Sequence, residues 1–164
     1  PLQNSFKKKK NKIKRIKKKD QKSLSNVQNK HNYNKESNRA SKTRFIWPVK
    51  GKLLSKYGKT KKGFYNDGIN INSKKGTKVL SSEDGKVIYS GNEIPGYGNL
   101  ILIKHNKNWI TAYAHLNEVF TEKGRKVKKG DKIGSVGNTG NVRMPQLHFE
   151  IRKGKESVDP LKFL

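Results

Sequence analysis

The chain contains no cysteine, a single methionine, and only 12 acidic residues against 39 lysines and arginines. Without cysteine there is no disulfide framework, no thiolate zinc site and no thiol nucleophile. That absence fits a reducing cytosol and an oxidising envelope equally. No run of about 18 apolar residues occurs, so no segment reads as a membrane-spanning helix. The chain opens at Pro1 rather than Met, so a fragment or processed product is expected, and no signal peptide is visible in these residues.

What is present is positive charge, a formal +27 at pH 7. Residues 1–44 hold 16 basic and 2 acidic side chains, and Lys7 to Lys22 alone contains eleven basic ones. Low hydrophobicity with high like charge predicts a disordered Lys-rich segment over residues 1–43. Two readings of that segment stand side by side. It is an electrostatic arm for nucleic acid or an anionic envelope polymer, or it is a solvated linker. The basic run carries no interleaved aromatic rings of the kind that stack bases, which favours the linker. His31 lies in this segment and reads as solvated.

Residues 44–164 have a different grammar: short apolar stretches punctuated by Gly, Asn, Asp and Lys. Strands are predicted at Lys52–Tyr57, Gly68–Ile71, Lys78–Leu80, Lys86–Ser90, Asn99–Lys104, Trp109–His115, Lys132–Val136 and Leu147–Arg152. Turn signals separate them, among them Glu83-Asp84-Gly85, Pro95-Gly96-Tyr97-Gly98 and Gly137-Asn138-Thr139-Gly140. No long stretch has a period of 3.6. The expectation is an all-β sandwich or compact barrel of about 120 residues.

Alternation along a strand assigns faces. Leu147, Phe149 and Ile151 point to a core, while Gln146, His148 and Glu150 point away. Ile69 and Ile71 go inward together with Asp67, leaving Asn66 and Asn70 on the other face. Tyr113 and His115 share a face, opposed by Ala112 and Ala114. If these strands are neighbours, Asn66, Asn70, Tyr113, His115, Gln146 and His148 form the polar floor of one groove. His105, closing a strand, reads as structural, and Gly96 and Gly98 as residues of a tight turn.

Several ordered landmarks carry a resemblance: Gly68-Ile69-Asn70-Ile71, Gly76-Thr77-Lys78-Val79, Asp84-Gly85-Lys86-Val87, Gly96-Tyr97-Gly98-Asn99, Tyr113-Ala114-His115-Leu116, Gly137-Asn138-Thr139-Gly140 and Leu147-His148-Phe149-Glu150. From about Phe45 to Leu164 the chain resembles the LytM/lysostaphin-type zinc endopeptidases, which cut peptidoglycan cross-links. The resemblance implies a single compact, mostly antiparallel β domain with a groove. It also implies where a zinc site belongs. Asn66 and Asn70 occupy positions that hold a His and an Asp ligand in the family, and His148 keeps the third ligand. His115 keeps one histidine that assists the zinc-bound water, while Gln146 replaces the other.

A catalytic zinc takes three ligands from His, Asp, Glu or Cys and keeps an open position. Two neutral amides and one imidazole supply no negative charge, so no metal and no cofactor are expected. Without the ion no bound water reaches a useful pKa. Asp67 is expected on the wrong face to substitute and Glu150 too far along its strand. The ending Pro145-Gln146-Leu147-His148-Phe149-Glu150-Ile151-Arg152 through Val158-Asp159-Pro160-Leu161 is similar to the degenerate LytM-type cell-division factors of Gram-negative, alphaproteobacterial-like envelopes. Those act without hydrolysis, by binding peptidoglycan or activating its amidases in the periplasm. No LysM sugar-binding module is present in these residues.

Three functions follow. The first is an inactive binding and regulatory domain in the cell envelope, its groove holding a peptidoglycan stem peptide or a segment of a cell-wall amidase, with the basic segment drawn to anionic polymers. The second is an active zinc endopeptidase with unusual ligands. The third, prompted by charge alone, is non-specific nucleic-acid binding; residues 44–164 carry no recognisable motif for it, so no specific nucleic acid is expected.

Overall fold

The computed structural model describes residues 44–60 and 63–164. The expected Lys-rich segment over residues 1–43 lies outside the described residues. The strands are β1 (Lys52–Ser55), β2 (Gly58–Lys59), β3 (Tyr65–Asn66), β4 (Ile69–Asn72), β5 (Lys78–Leu80), β6 (Gly85–Gly91), β7 (Asn99–Lys104), β8 (Trp109–Val119), β9 (Lys126–Val127), β10 (Lys132–Val136), β11 (Gln146–Lys153) and β12 (Glu156–Val158). Single turns of 3-10 helix at Asn106–Asn108 and Pro160–Lys162 complete the regular structure among the described residues.

Every described strand pair is antiparallel. The main sheet runs β1-β4-β11-β8-β7-β6-β9, with β12 on β11 and the β5-β10 pair joined through β8. The small β2-β3 hairpin stands apart from it. The expected all-β architecture is therefore the observed one. Its core is the inward register of these strands: Ile69, Ile71, Ile101, Ile103, Tyr113, Leu147, Phe149 and Ile151 are fully buried together with Phe45, Val79 and Ile133. The opposite face of the central strands carries a smaller apolar cluster, Leu100, Ala112 and Ala114, packed by Tyr89, Tyr97 and Leu102.

Strand β8 decides the geometry of the site. Residues Trp109 to Ala114 pair with β11, and Leu116 to Val119 pair with β10. His115 sits at the changeover with φ of 64°, in the left-handed region that non-glycine residues seldom occupy. Its N–H leaves the ladder and donates to Tyr97 O at 2.9 Å. This kink corrects the expectation that Tyr113 and His115 share a face. Tyr113 is fully buried in the core, its hydroxyl accepting from Ser82 N and from Thr111 Oγ1, each at 2.9 Å. Tyr113 is thus not a groove residue. Alternation holds only while φ stays extended, and one left-handed residue resets it.

Candidate functional site

The floor is laid by the register of β4 against β11, which sets Asn70 directly opposite His148. The same face must then carry both side chains, because paired residues project together. Asn70 Oδ1 lies 3.4 Å from His148 Nδ1, and Asn70 Nδ2 donates to Gln146 Oε1 at 2.9 Å. Asn66, closing the β2-β3 hairpin, donates from Nδ2 to Asn70 Oδ1 at 3.0 Å and to Lys56 O at 3.0 Å. Asn66, Asn70 and Gln146 are therefore one chain of side-chain amides leading to His148. The approach is close because Gly68 follows: a Cβ there would stand 2.2 Å from Phe149 O, so only glycine lets this bend seat against β11.

On its other side His148 Nε2 lies 3.0 Å from Glu150 Oε1. Glu150 also accepts from Arg152 Nη1 at 2.7 Å and from the Tyr97 hydroxyl at 3.2 Å. Burial pushes the Glu150 carboxyl up, but the hydrogen bonds from His148 and Arg152 outweigh it, so the group is held below the usual carboxylate range. The same burial and the Glu150 charge push the Tyr97 phenol up. Sequence spacing placed Glu150 on the face of His148 but too far along its strand to stand in as a metal ligand; in the structure it is the hydrogen-bond partner of His148 instead.

His115 enters from the kink in β8, its ring centroid 6.1 Å from that of His148. Its Nδ1 contacts Thr139 O at 2.9 Å; since a carbonyl only accepts, Nδ1 carries the proton and Nε2 presents a lone pair. Burial holds this imidazole below its ordinary pKa and so neutral at pH 7. The loop that positions it is locked by Gly98, at φ of 62°, where a Cβ would stand 2.4 Å from the Thr139 backbone carbon. His105 is elsewhere: it is buried, and its ring nitrogens contact Asp84 O at 2.8 Å and Thr111 Oγ1 at 2.7 Å. That is a structural bridge between turn and core.

A cavity of about 220 Å³ opens over this floor, lined by Asn66, His115 and His148 and walled by Tyr65, Asp67 and the Pro95-Gly96-Tyr97 turn. Asp67 was expected inward with Ile69 and Ile71. It belongs to neither flanking strand, so the two-residue period does not reach it, and it lines the cavity instead. Tyr65 and Tyr97 are cavity-lining residues that sequence reasoning missed, and Asp67 one that it assigned to the wrong face. The one available signal was a tyrosine held between two glycines in a turn.

The donor set does not fit a catalytic zinc. Asn66 and Asn70 are neutral, and each turns its amide nitrogen, a donor rather than a ligand atom, into the chain that links them to Gln146. Among the described residues, no group of three His, Cys, Asp or Glu side chains is arranged to hold a metal ion.

Comparisons with known proteins converge on this domain. A family model described as peptidase family M23 matches residues 64–160. The chain is 46% identical over 123 residues to the cell division protein DipM of Caulobacter vibrioides, covering 75% of this chain and 20% of that protein. It is 43% identical over 118 residues to the murein hydrolase activator NlpD of Escherichia coli, covering 72% and 30%. The catalytic domain of the antimicrobial peptidase lysostaphin from Staphylococcus simulans superposes with a TM-score of 0.66 at 29% identity, covering 69% of this chain and 91% of that one. The chain thus spans less than a third of the length of either curated relative.

Proposed function

The chain belongs to peptidase family M23, and from that premise we propose that it is a degenerate LytM-type domain serving peptidoglycan remodelling in cell division without hydrolysis of its own. Residues 44–164 are the working domain, and the Lys-rich residues 1–43 precede it as a linker attracted to anionic envelope polymers. The domain acts at the cell envelope by holding a peptidoglycan stem peptide, or a segment of a cell-wall amidase, in the groove over His148. The observation that carries this reading is the amide chain Asn66–Asn70–Gln146 at the positions where the family places charged and imidazole ligands. Relatives named as a cell division protein and a murein hydrolase activator support it.

The second reading, a zinc endopeptidase, draws support from family membership and from the likeness to the lysostaphin catalytic domain. One experiment separates the two. Purified full chain is assayed for zinc by elemental analysis and for muropeptide release from isolated peptidoglycan, alone and with a purified amidase. The expected result is substoichiometric zinc, no release by the chain alone, and faster release when the amidase is present. Stoichiometric zinc with release by the chain alone establishes the peptidase and overturns the proposal.

A further inference from the structure

The charges that the described residues place around the cavity do not pair off. Glu150 is neutralised by Arg152, whose second nitrogen is in turn held by Lys155 O at 2.7 Å. His115 is held neutral by burial. Asp67 has no such partner: it accepts one hydrogen bond, from the Ser157 hydroxyl to Oδ1 at 2.8 Å, and makes no ion pair with any described residue. Among the described residues, nothing donates to its second oxygen. Among the described residues, no cation lies within ion-pair distance of this carboxylate, and Arg152, which feels its charge, is already committed to Glu150. A carboxylate with no direct ion-pair partner among the described residues, in a partly enclosed space, is a complement for a cation brought by a ligand.

The walls fit the same cation. The Tyr65 and Tyr97 rings line the cavity with Asp67. Aromatic faces attract ammonium groups through the ring quadrupole, and the effect grows as water is excluded. The space beside them, about 220 Å³, accommodates an aminoalkyl terminus. Although His115 and His148 line the same cavity, no three His, Cys, Asp or Glu side chains among the described residues are arranged to hold a metal ion, so the chemistry selects an organic ammonium over an inorganic cation.

We propose that this cavity is an ammonium subsite, in which Asp67 pairs with a primary amine of a peptide lying in the groove and Tyr65 and Tyr97 wall it. The inference rests on the reading of the groove as a peptide-binding surface. Such a pair at a half-open site, with an aromatic wall, sets an expected discrimination of about fivefold in affinity.

The test is calorimetric titration of the full chain with stem tetrapeptide in four forms: both amines free, the α-amine acetylated, the side-chain amine acetylated, and both acetylated. Blocking one amine weakens binding about fivefold and blocking the other has little effect, which identifies the source of the ammonium. Asp67→Asn, which keeps an acceptor for Ser157, abolishes the difference between the forms. Tyr65→Ala, at a side chain 56% exposed and so tolerated by the fold, reduces it. Equal binding of all four forms overturns the subsite and leaves the peptide groove standing. No binding of any form, with amidase stimulation intact, overturns the subsite together with the stem-peptide reading, and leaves the amidase as occupant.

Discussion

Asn70 is where the chemistry of this groove turns. Its carboxamide bridges Asn66, Gln146 and His148, so a single side chain joins all that is retained and all that is changed. What stands beside it is an imidazole held by a carboxylate. Glu150 accepts from His148 Nε2 and so orients the ring with Nδ1 toward Asn70, the arrangement in which an outer carboxylate orients a ligating imidazole. Asn66→His with Asn70→Asp therefore rebuilds a His/Asp/His set around His148. The expected outcome is zinc binding at one ion per chain, at least about 100-fold tighter than the unmodified protein, since losing even an outer partner costs 10–100-fold. Glu150→Gln in that background weakens it again by roughly tenfold or more. Hydrolysis recovers less than binding until Gln146→His restores an imidazole beside the reacting water. Calorimetry with zinc and cleavage of wall peptides read the two steps. A double mutant that binds no zinc would show that Asn66 and Asn70 do not stand in for the ligands.

At the scale of elements, the strands were legible because Leu147–Ile151 alternates cleanly and Asn99–Lys104 and Lys132–Val136 are short β-branched and apolar stretches bounded by turn residues, and the structure places strands at all of these. Face assignment by period two worked on β4 and β11, whose backbones stay extended, and failed on β8 and at Asp67. Nothing in Tyr113-Ala114-His115 announces a left-handed residue, because the kink is imposed by the Tyr97 carbonyl and by the change of pairing partner, both distant in sequence. The short strands β2, β3, β9 and β12 were invisible for a similar reason: they exist through their partners rather than through a pattern of their own. Two predictions belong at this scale. Gly98→Ala forces a Cβ onto the Thr139 backbone at an already left-handed φ, so the loops over His115 separate. The expected cost is about 1–3 kcal/mol, with groove ligands lost before global unfolding, measured by denaturant titration alongside ligand binding. The second concerns charge. Lys104, Lys86 and Lys126 stand directly opposite one another on β7, β6 and β9, all exposed, a row of like charges that opposes pairing. Lys86→Glu turns both contacts into attractions and is expected to raise the melting temperature slightly at low salt, with the gain vanishing at 1 M salt. A lower melting temperature at low salt would refute it.

For the whole molecule, stability against pH follows from groups whose environment differs between folded and unfolded chain. Burial holds the His105 and His115 imidazoles below their ordinary value, so the unfolded chain takes up their protons first as pH falls. Stability from these two is complete above about pH 6.5 and declines as pH falls below it toward their lowered folded values. Glu150 is also lowered, through His148 and Arg152 against the opposing pull of burial, and its contribution is present above about pH 4.5 and lost on further acidification through its folded value. Tyr113 works at the other end: burial raises its phenol, so the unfolded chain loses that proton first and stability falls above about pH 10. The expected profile is a plateau between roughly pH 7 and 9, a first decline below about 6.5 and a second below about 4.5. Acidification also adds charge to a chain already at +27, so the measurement is made at 0.3 M salt, where self-repulsion is screened and the local groups dominate. His105→Gln, which keeps a polar contact to Thr111 without titrating, removes part of the first decline and leaves the second unchanged. Melting temperatures that stay level from pH 8 to pH 5 in the unmodified chain would mean that these buried imidazoles take up protons as readily folded as unfolded.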